Sequence, residues 1–405
     1  MGVTAPVPHR LIRSYYLYQA TALVFFQVVF FPFYEQRVGL SVPTILWLQS
    51  YDFALRAALD LPFGAVADRF SRRACLAVSA LAVGTASTLL LVWPTFLAAL
   101  LAETLFATAG ALRSGADSAL LFDGLKAADR LDLYPRAESR AQAIVSLAAG
   151  TTAVVGSLLA AVDLRWPYAV TIPCALASAG FAWRLGAEPR RRDETASPLG
   201  LAREAFRLAG QRPAVQWAIA LAVFAIVTSH VYYFVQQPYL EGIGIPVALF
   251  GVVFLVTKAV TAVVATRAYR IDAALGPRWV AVTMAGTALV GLGGMSVTNV
   301  PAGALLILTR GIIDGLWQPL VNLYMNRLVD SRLRATMLSL QSVAARLGLS
   351  AALALLGVAT ARSGLGPALG AAAVAAVLAG GTLALLAPRA PRGLPAEDRG
   401  RAGDA

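Results

Sequence analysis

Apolar residues recur along nearly the whole chain in continuous runs of about 20 residues, and short polar or basic connections separate the runs. An α-helix of that length crosses the ~30 Å hydrocarbon core of a bilayer. The strands of a membrane β-barrel would instead alternate apolar and polar residues over about 10 positions, and the chain lacks that pattern. The pattern therefore predicts an all-α membrane protein with a bundle of transmembrane helices.

Twelve such spans follow from the apolar runs. We place them at 14–34, 42–66, 74–92, 96–123, 141–162, 166–185, 214–237, 246–268, 278–298, 302–325, 336–360 and 365–387. The first run is longer than the core of a signal peptide, and no small-residue cleavage site follows it. We therefore expect it to be retained as a span.

Positive charge is distributed unevenly across this predicted topology. Most of the 34 Lys and Arg residues lie in the two tails or in the even-numbered connections, whereas the odd-numbered connections contain Arg37, Arg165 and Arg362. Lys and Arg are enriched in cytoplasmic loops, so we expect both termini in the cytoplasm and the chain in the cytoplasmic (inner) membrane. The net charge of +12 follows from this topology, and we expect no nucleic-acid partner.

The longest connection, 186–212, contains the polar sequence EPRRRDETASP and divides the spans into two sets of six. We predict an N-terminal six-helix half at 1–185, a cytoplasmic linker at 186–212 and a C-terminal six-helix half at 213–388. A disordered cytoplasmic tail is expected at 389–405. RAQAIVS opens span five as RATMLS opens span eleven, which points to a repeat that relates the two halves.

The connection between spans two and three contains the sequence GAVADRFSRR, with Gly64, Asp68, Arg69, Arg72 and Arg73 in a fixed spacing. A phosphate-binding loop would need a second glycine, a lysine and a preceding strand, which are missing here. The spacing and the location resemble the G-x-x-x-D-R-x-x-R-R/K loop of the major facilitator superfamily (MFS). The resemblance extends to the twelve-span, two-half layout, and it implies a bacterial transporter with the MFS fold.

What the resemblance implies for this loop is a cytoplasmic latch that stabilises the outward-facing state. Asp123, at the end of span four, is a candidate partner for Arg69 or Arg72. Gly64 is expected to let the end of span two approach a neighbouring helix backbone closely. The alternative is that the arginines serve only as topology signals, a role that requires neither Gly64 nor Asp68.

Ionisable residues inside the predicted spans cost about 2.5–3.5 kcal/mol each at the helix centre, so each needs a partner or a function. They are Asp52, Arg56, Asp60, Glu103, Arg113, Asp117, Lys258, Arg310, Asp314 and Arg346. Several have the i, i+4 spacing of intrahelical pairs, whereas Lys258 and Arg346 are alone on their helices and must find partners across the bundle or face water. We rank Asp60, then Asp117 and Glu103, as proton carriers, followed by Asp314. Structural salt bridges are the alternative.

Polar and aromatic residues on spans seven, ten and eleven are candidates for the substrate cavity: His230, Tyr233, Gln237, Gln318, Asn322 and Gln341. Flat apolar faces beside amide donors suit an amphiphilic organic ligand, but an aromatic belt at the membrane interface would have the same composition. His230 lies near the predicted outer end of span seven, where a hydrogen-bonded interface role competes with a proton relay.

We expect a secondary active transporter that moves a small-molecule substrate by alternating access, with protons as the coupling ion and without cofactor or metal. Export of an amphiphilic or hydrophobic compound is our first hypothesis. Span five lacks the G-x-x-x-G-P-x-x-G-G pattern of proton-coupled drug exporters, so uptake of a polar metabolite or sugar and a non-transporting sensor stay open. His9 and His230 are the only histidines, and Cys75 and Cys174 have no metal or redox spacing. We therefore predict that the chain is not an enzyme, and we expect a monomer.

Overall fold

The computed structural model describes residues 8–69, 71–185 and 198–388. These residues form helices and turns without any β-strand, which confirms the all-α prediction. The first half contains α1 (Pro8–Thr21), α2 (Phe30–Phe33), α3 (Val42–Arg69), α4 (Arg72–Val92), α5 (Phe96–Arg113), α6 (Ala116–Ala127), α7 (Tyr134–Val162) and α8 (Trp166–Arg184). We call the end of the bundle at which α1 begins the terminal end, and the opposite end the far end.

A linker helix and the second half follow. They are α9 (Pro198–Gln211), α10 (Pro213–Gly242), α11 (Phe250–Ala265), α12 (Ala268–Ala288), α13 (Gly294–Val297), α14 (Ala304–Ile307), α15 (Thr309–Leu328), α16 (Ser331–Ser363) and α17 (Leu365–Leu385). Residues 186–197 of the predicted linker and the predicted tail 389–405 lie outside the described residues.

Within the described part of the chain, 9 helices are long and apolar enough to cross a membrane. The predicted spans 14–34, 42–66 and 166–185 are not among them. The first is interrupted after Thr21, the second carries three charged residues, and α8 contains two prolines, two tryptophans and a tyrosine, which lower its hydropathy. The chain is a multi-pass membrane protein, and its twelve spans and cytoplasmic termini stay predictions.

The two halves meet along two pairs of helices. In the first half α4 packs on α5 and α8, and in the second half α15 packs on α10 and α11. Between the halves, α3 packs along α16 and α7 packs along α11. In the predicted topology α3 and α11 are the second spans of their halves, and α7 and α16 are the fifth. The two contacts therefore pair equivalent helices, as a two-fold axis between the halves would do.

Two spans that we predicted as continuous are broken near their middle. The first span has no α-helix between Thr21 and Phe30. Pro32 follows this gap, and a proline lacks the N–H that a continuous helix would donate to the carbonyl four residues earlier. The fourth span is interrupted between Arg113 and Ala116, where Gly115 has φ +74°, a left-handed conformation that glycine adopts without strain.

Candidate substrate cavity and charge network

A cavity of about 760 Å³ lies between the two halves, and residues of both halves line it. Both helix breaks border the cavity, through Val24 and Gln27 in the first span and through Ser114 and Gly115 in the fourth. Its aromatic lining consists of Phe26, Phe30, Tyr34, Phe53, Phe106, Tyr168, Tyr233, Phe234 and Phe254. Pockets for small organic ligands measure about 300–1,000 Å³ and are mostly apolar with a few polar groups, so the cavity has the size of such a site.

Most of the ionisable residues predicted inside the spans converge on this cavity. The lining includes Asp52, Arg56, Glu103, Arg113, Asp117, Lys258, Arg310 and Arg346. Asp60 and Asp314 are not lining residues, but each is ion-paired with a residue that is. Charges that the sequence distributes over five spans therefore form one site.

In the second half, two cations share one carboxylate. Lys258 Nζ lies 3.6 Å and Arg310 Nε 3.5 Å from Asp314 Oδ2. Ser229 Oγ donates a hydrogen bond to Asp314 Oδ1 and accepts one from Arg310 Nε at 3.3 Å. Lys258, which is alone on its helix, thus has its partner on a neighbouring helix. One carboxylate beside two cations leaves a net positive charge at the cavity wall.

In the first half, the three charged residues of the predicted span 42–66 divide between an intrahelical and an interhelical pair. Arg56 Nη2 lies 3.1 Å from Asp52 Oδ2, one turn away on the same helix. Asp60 pairs instead with Arg346 on α16, which belongs to the second half. Both members of this second pair are largely buried, with side chains 14% and 20% exposed. The Asp60–Arg346 pair therefore joins the two halves.

Glu103 is the acid whose environment differs most from those of the others. Its side chain is buried, and Oε1 accepts hydrogen bonds from the Tyr34 hydroxyl at 2.7 Å and from Gln49 Nε2 at 2.8 Å. Among the ion pairs of the described residues, none includes Glu103. A carboxylate buried without a cation is costly when it is charged, so this site suits a carboxyl group that holds a proton.

Arg113 and Asp117 bridge the break between α5 and α6. Arg113 Nε lies 3.6 Å from Asp117 Oδ2, and Gln19 of α1 connects to both residues. The Gln19 amide accepts from Arg113 Nη2 at 2.7 Å and donates to Asp117 Oδ2 at 3.2 Å. The helix break is thus held by a polar network that includes the first span.

The broken segment between α1 and α2 has its backbone groups bonded by side chains of other helices. The Phe25 N–H donates to Thr171 Oγ1 at 3.1 Å, and the Gln27 carbonyl accepts from the Tyr233 hydroxyl and from Gln237 Nε2. A lipid environment requires such partners because no water is available to bond the backbone. Tyr233 and Gln237 come from α10, so they also link the two halves.

The predicted substrate residues separate into two groups. His230 and Tyr233 line the cavity, whereas Gln237, Gln318, Asn322 and Gln341 do not. The Gln237 side chain bonds the first-span backbone instead, since its Oε1 also accepts from the Phe31 N–H at 3.0 Å. The placement of His230 near a helix end was wrong, because α10 continues to Gly242. Its Nδ1 donates a hydrogen bond to the Ile226 carbonyl at 2.8 Å. In the neutral imidazole, Nε2 is therefore the hydrogen-bond acceptor.

Several lining residues have no counterpart in the sequence-based set. Gln27, Tyr34, Gln49 and Tyr168 lie in runs that we treated only as apolar spans. Gln49 carried a usable signal, since it precedes Asp52 by three positions and therefore shares its helix face. Tyr34 and Tyr168 carried none, because their place at the cavity depends on the break in the first span and on packing between distant helices.

The loop of the predicted latch is described in part. Arg72, at the start of α4, forms an ion pair with Asp123 near the end of α6, and the Arg73 guanidinium lies 5.4 Å from the centre of the Trp183 ring. The side chains of Asp68 and Arg69 lie outside the described residues. No described atom lies within 4 Å of a Cβ placed at Gly64. Because neighbouring side chains lie outside the described residues, the expected close approach stays a prediction.

At the far end, acidic residues of the two halves meet. Gln36 Nε2 donates to Glu241 Oε1 at 3.0 Å, and Glu35 lies beside the same carboxylate. Partial burial, together with the neighbouring charge of Glu241, raises the pKa of Glu35 to about 7. The contact between the halves is therefore sensitive to protonation at this end.

Comparison with solved structures finds membrane transporters of the same fold. A mutant of the nucleoside transporter NupG matches with a TM-score of 0.79 at 11% identity, over 93% of this chain and 99% of that chain. A D-xylose–proton symporter gives 0.68 at 15% identity, over 93% and 95% of the two chains. A bacterial homologue of the human lysosomal transporter Spinster, in an inward-facing and unoccupied conformation, gives 0.66 at 16%, over 94% and 93%. No curated protein sequence matches significantly.

The two-half helical bundle is the fold of the membrane transporters that match. Together with the family match of the sequence, it identifies the chain as a transporter and not an enzyme. The sequence itself matches the Major Facilitator Superfamily over residues 19–353. The chain belongs to this superfamily, as the GAVADRFSRR loop indicates.

Proposed function

We propose that this chain is a secondary transporter that exports a small amphiphilic or hydrophobic organic compound by alternating access, driven by protons. The observation that carries the proposal is the cavity that both halves line. Hydrogen bonds between the halves, such as that between Tyr233 and the Gln27 carbonyl, join them beside this cavity. Rocking of two halves about such a site exposes it to each side of the membrane in turn.

Asp60 is the proton carrier that we propose first, because its ion pair with Arg346 connects the halves. Protonation of Asp60 would remove the attraction across the interface and leave Arg346 free to turn toward the cavity. Glu103, which has no cation partner among the described ion pairs, is a second proton site in the same cavity. Asp117 and Asp314 follow, since both hold arginines that line the cavity.

The cavity lining supports an amphiphilic substrate more than a sugar. Aromatic rings offer flat apolar faces, and the amide groups closest to them already have protein partners. Gln27 Nε2 donates to the Ala149 carbonyl and to Thr152 Oγ1, both at 3.0 Å, and Gln49 donates to Glu103. Uptake of a sugar or another polar metabolite is the alternative, and it would require these amides to exchange partners.

A latch at the terminal end belongs to the same proposal. It would consist of Gly64, Asp68, Arg69, Arg72, Arg73 and Asp123, and the Arg72–Asp123 pair supports it. Side-chain ion pairs at the level of the lipid headgroups can form and break at small cost, as alternation between states requires. We further propose the cytoplasmic membrane as the location, with both termini in the cytoplasm and a monomer as the working unit.

Proteoliposomes with an imposed pH gradient test the proposal. The panel should contain amphiphiles, sugars and polar metabolites, with flux measured for both directions of the gradient. We expect at least one amphiphile to move against its gradient while protons move down theirs. If no compound moves and no proton flux accompanies any of them, the transporter hypothesis fails and the sensor alternative takes its place.

A further inference from the structure

Two cations of the second half, Lys258 and Arg310, form a separate group at the cavity wall. Lys258 and Arg310 line the cavity and share Asp314, which itself lies outside the lining. Lys258 is accessible, with 44% of its side chain exposed, whereas Arg310 is buried, with 7% exposed. The site therefore combines a buried cation with an accessible one.

Arg310 has hydrogen-bonding capacity that its protein partners do not use. Its Nε bonds Ser229, but Nη1 is buried and without a hydrogen-bond partner among the described residues. A buried donor without an acceptor destabilises the folded protein. An acceptor supplied by a ligand would remove this cost.

Aromatic rings flank both cations. The Arg310 guanidinium lies 5.2 Å from the centre of the Tyr233 ring, and Lys258 Nζ lies 5.5 Å from the centre of the Phe254 ring. All four residues line the cavity. A ligand held by the two cations would thus have its remaining atoms beside apolar surface.

The charges of the cavity are divided between the halves. The acids in its described lining, Asp52, Glu103 and Asp117, all come from the first half, whereas the charged lining residues of the second half are Lys258, Arg310 and Arg346. Arg346 is neutralised by Asp60, so the uncompensated positive charge is at Lys258 and Arg310. Within the described lining, Arg56 and Arg113 of the first half are each paired with an acid, so the wall at Lys258 and Arg310 is the one that favours an anion.

We propose that the substrate is an amphiphilic organic anion whose carboxylate binds between Lys258 Nζ and the Arg310 guanidinium, with its apolar part against Tyr233 and Phe254. Guanidinium groups bind carboxylates through strong charge-assisted hydrogen bonds. Asp314 competes with the ligand for the same two cations, so ligand binding shifts both away from it. This inference rests on the proposed transport function and names the substrate class for the same cavity.

Binding to the purified full-length protein tests the charge of the ligand. The probes are phenylbutyrate and octanoate, each compared at neutral pH with its uncharged amide and with the corresponding primary amine. We expect the carboxylates to raise the midpoint of thermal unfolding, and the amides and amines to leave it unchanged. Equal stabilisation by the amides or amines, or no stabilisation by either carboxylate, overturns the inference.

Variants then test the site. We expect Lys258→Gln to weaken carboxylate binding at least tenfold, while Lys126→Gln, at an exposed position far from the cavity lining, leaves it unchanged. Asp314→Asn removes the competing carboxylate, so it should strengthen binding, the opposite of what a purely structural role predicts. Unchanged binding in Lys258→Gln, or weaker binding in a folded Asp314→Asn variant, contradicts the proposed site.

Flux measurements separate this inference from the function on which it rests. Gradient-driven transport of the amides but not of the carboxylates would retain the transporter and overturn the anion site. Carboxylate binding that depends on Lys258, without flux of any compound, would retain the site and overturn the transporter.

Discussion

Asp60 on α3 and Arg346 on α16 form an ion pair across the boundary between the two halves. Arg56, one turn before Asp60 on the same helix, is occupied by Asp52 at 3.1 Å, so α3 uses one acid within its own half and one between the halves. If Asp60 carries the proton as proposed, the proton-sensitive contact and the interface between the halves coincide at this residue.

For Asp60→Asn we expect gradient-driven transport to fall at least tenfold while exchange of bound ligand persists. The amide cannot release a proton, but it still fills the site and bonds Arg346. Flux in proteoliposomes with and without a pH gradient measures both activities, and Asp132→Asn, at an exposed surface pair, is the matched control. Equal loss of both activities would reduce Asp60 to a structural role.

Glu103→Gln should impair coupling without loss of stability, since the amide oxygen can still accept from Tyr34 and Gln49. Glu103→Ala, in contrast, leaves these two donors without an acceptor, which costs about 1–3 kcal/mol for each buried group. Thermal unfolding of both variants, beside proton flux during transport, distinguishes the two effects. If Glu103→Gln couples protons as well as the wild type, Glu103 is not a carrier.

Asp123→Asn should weaken the proposed latch, because Arg72 loses its ionic partner. We expect the inward-facing population to increase, which raises the labelling rate of a cysteine introduced at Ser114 in the cavity. The reagent is a membrane-impermeant maleimide added from the terminal end, with Cys75 and Cys174 replaced by Ser in every variant. The charge exchange of Arg72→Asp with Asp123→Arg should restore the original rate. An unchanged rate in Asp123→Asn contradicts the latch.

Glu35 predicts a pH-dependent contribution to stability. Its pKa is raised to about 7 by burial and by Glu241, above the ordinary value for a glutamate of about 4.3, so the folded state binds the proton more tightly than the unfolded state. The resulting stabilisation is complete below the ordinary value and is lost as the pH rises toward 7. Thermal unfolding of wild type against Glu35→Gln should therefore show the wild type losing relative stability between pH 5 and 8. If the difference in unfolding midpoint between wild type and Glu35→Gln is constant from pH 5 to 8, Glu35 does not make stability depend on pH.

Gly156 on α7 lies against the Phe25 carbonyl, and a Cβ at this position would collide with backbone. We expect Gly156→Ala to destabilise the protein by about 1–3 kcal/mol, as overpacking does. Gly180→Ala on α8 is the control, because no atom lies within 4 Å of its Cβ position, and helix propensity favours alanine by about 1 kcal/mol. Equal unfolding midpoints for the two variants would show that the backbone at Phe25 can move to accommodate the added methyl group.

The ion pairs within the spans could be predicted from the sequence only where the partners lie one helical turn apart on the same helix. The Arg310–Asp314 pair follows from one helical turn, whereas for Arg56 the same spacing allowed either Asp52 or Asp60. Because Lys258 and Arg346 are each alone on a span, the sequence also predicted that they find partners on other helices or face water. Which acids they meet did not follow, because that depends on how α11 and α16 pack against their neighbours.

The helix breaks were not predictable from hydropathy. A window average over 14–34 is apolar whether or not the backbone is helical, because it contains no term for hydrogen bonds. The partners that make the break possible, Thr171, Tyr233 and Gln237, lie more than a hundred residues away in the chain. For the same reason Gln237 was predicted as a substrate residue, although its amide is occupied by the backbone.

Under the proposed alternating access, separation of the halves at the broken first span would require water. When the halves separate there, the Gln27 carbonyl loses Tyr233 and Gln237, and the Phe31 N–H loses Gln237. Backbone groups stranded in hydrocarbon cost several kcal/mol each, so separation is favourable only where solvent molecules replace the departing side chains. If the halves alternate as proposed, hydration of this seam accompanies opening, and the rate of opening should depend on how readily water reaches a few backbone atoms.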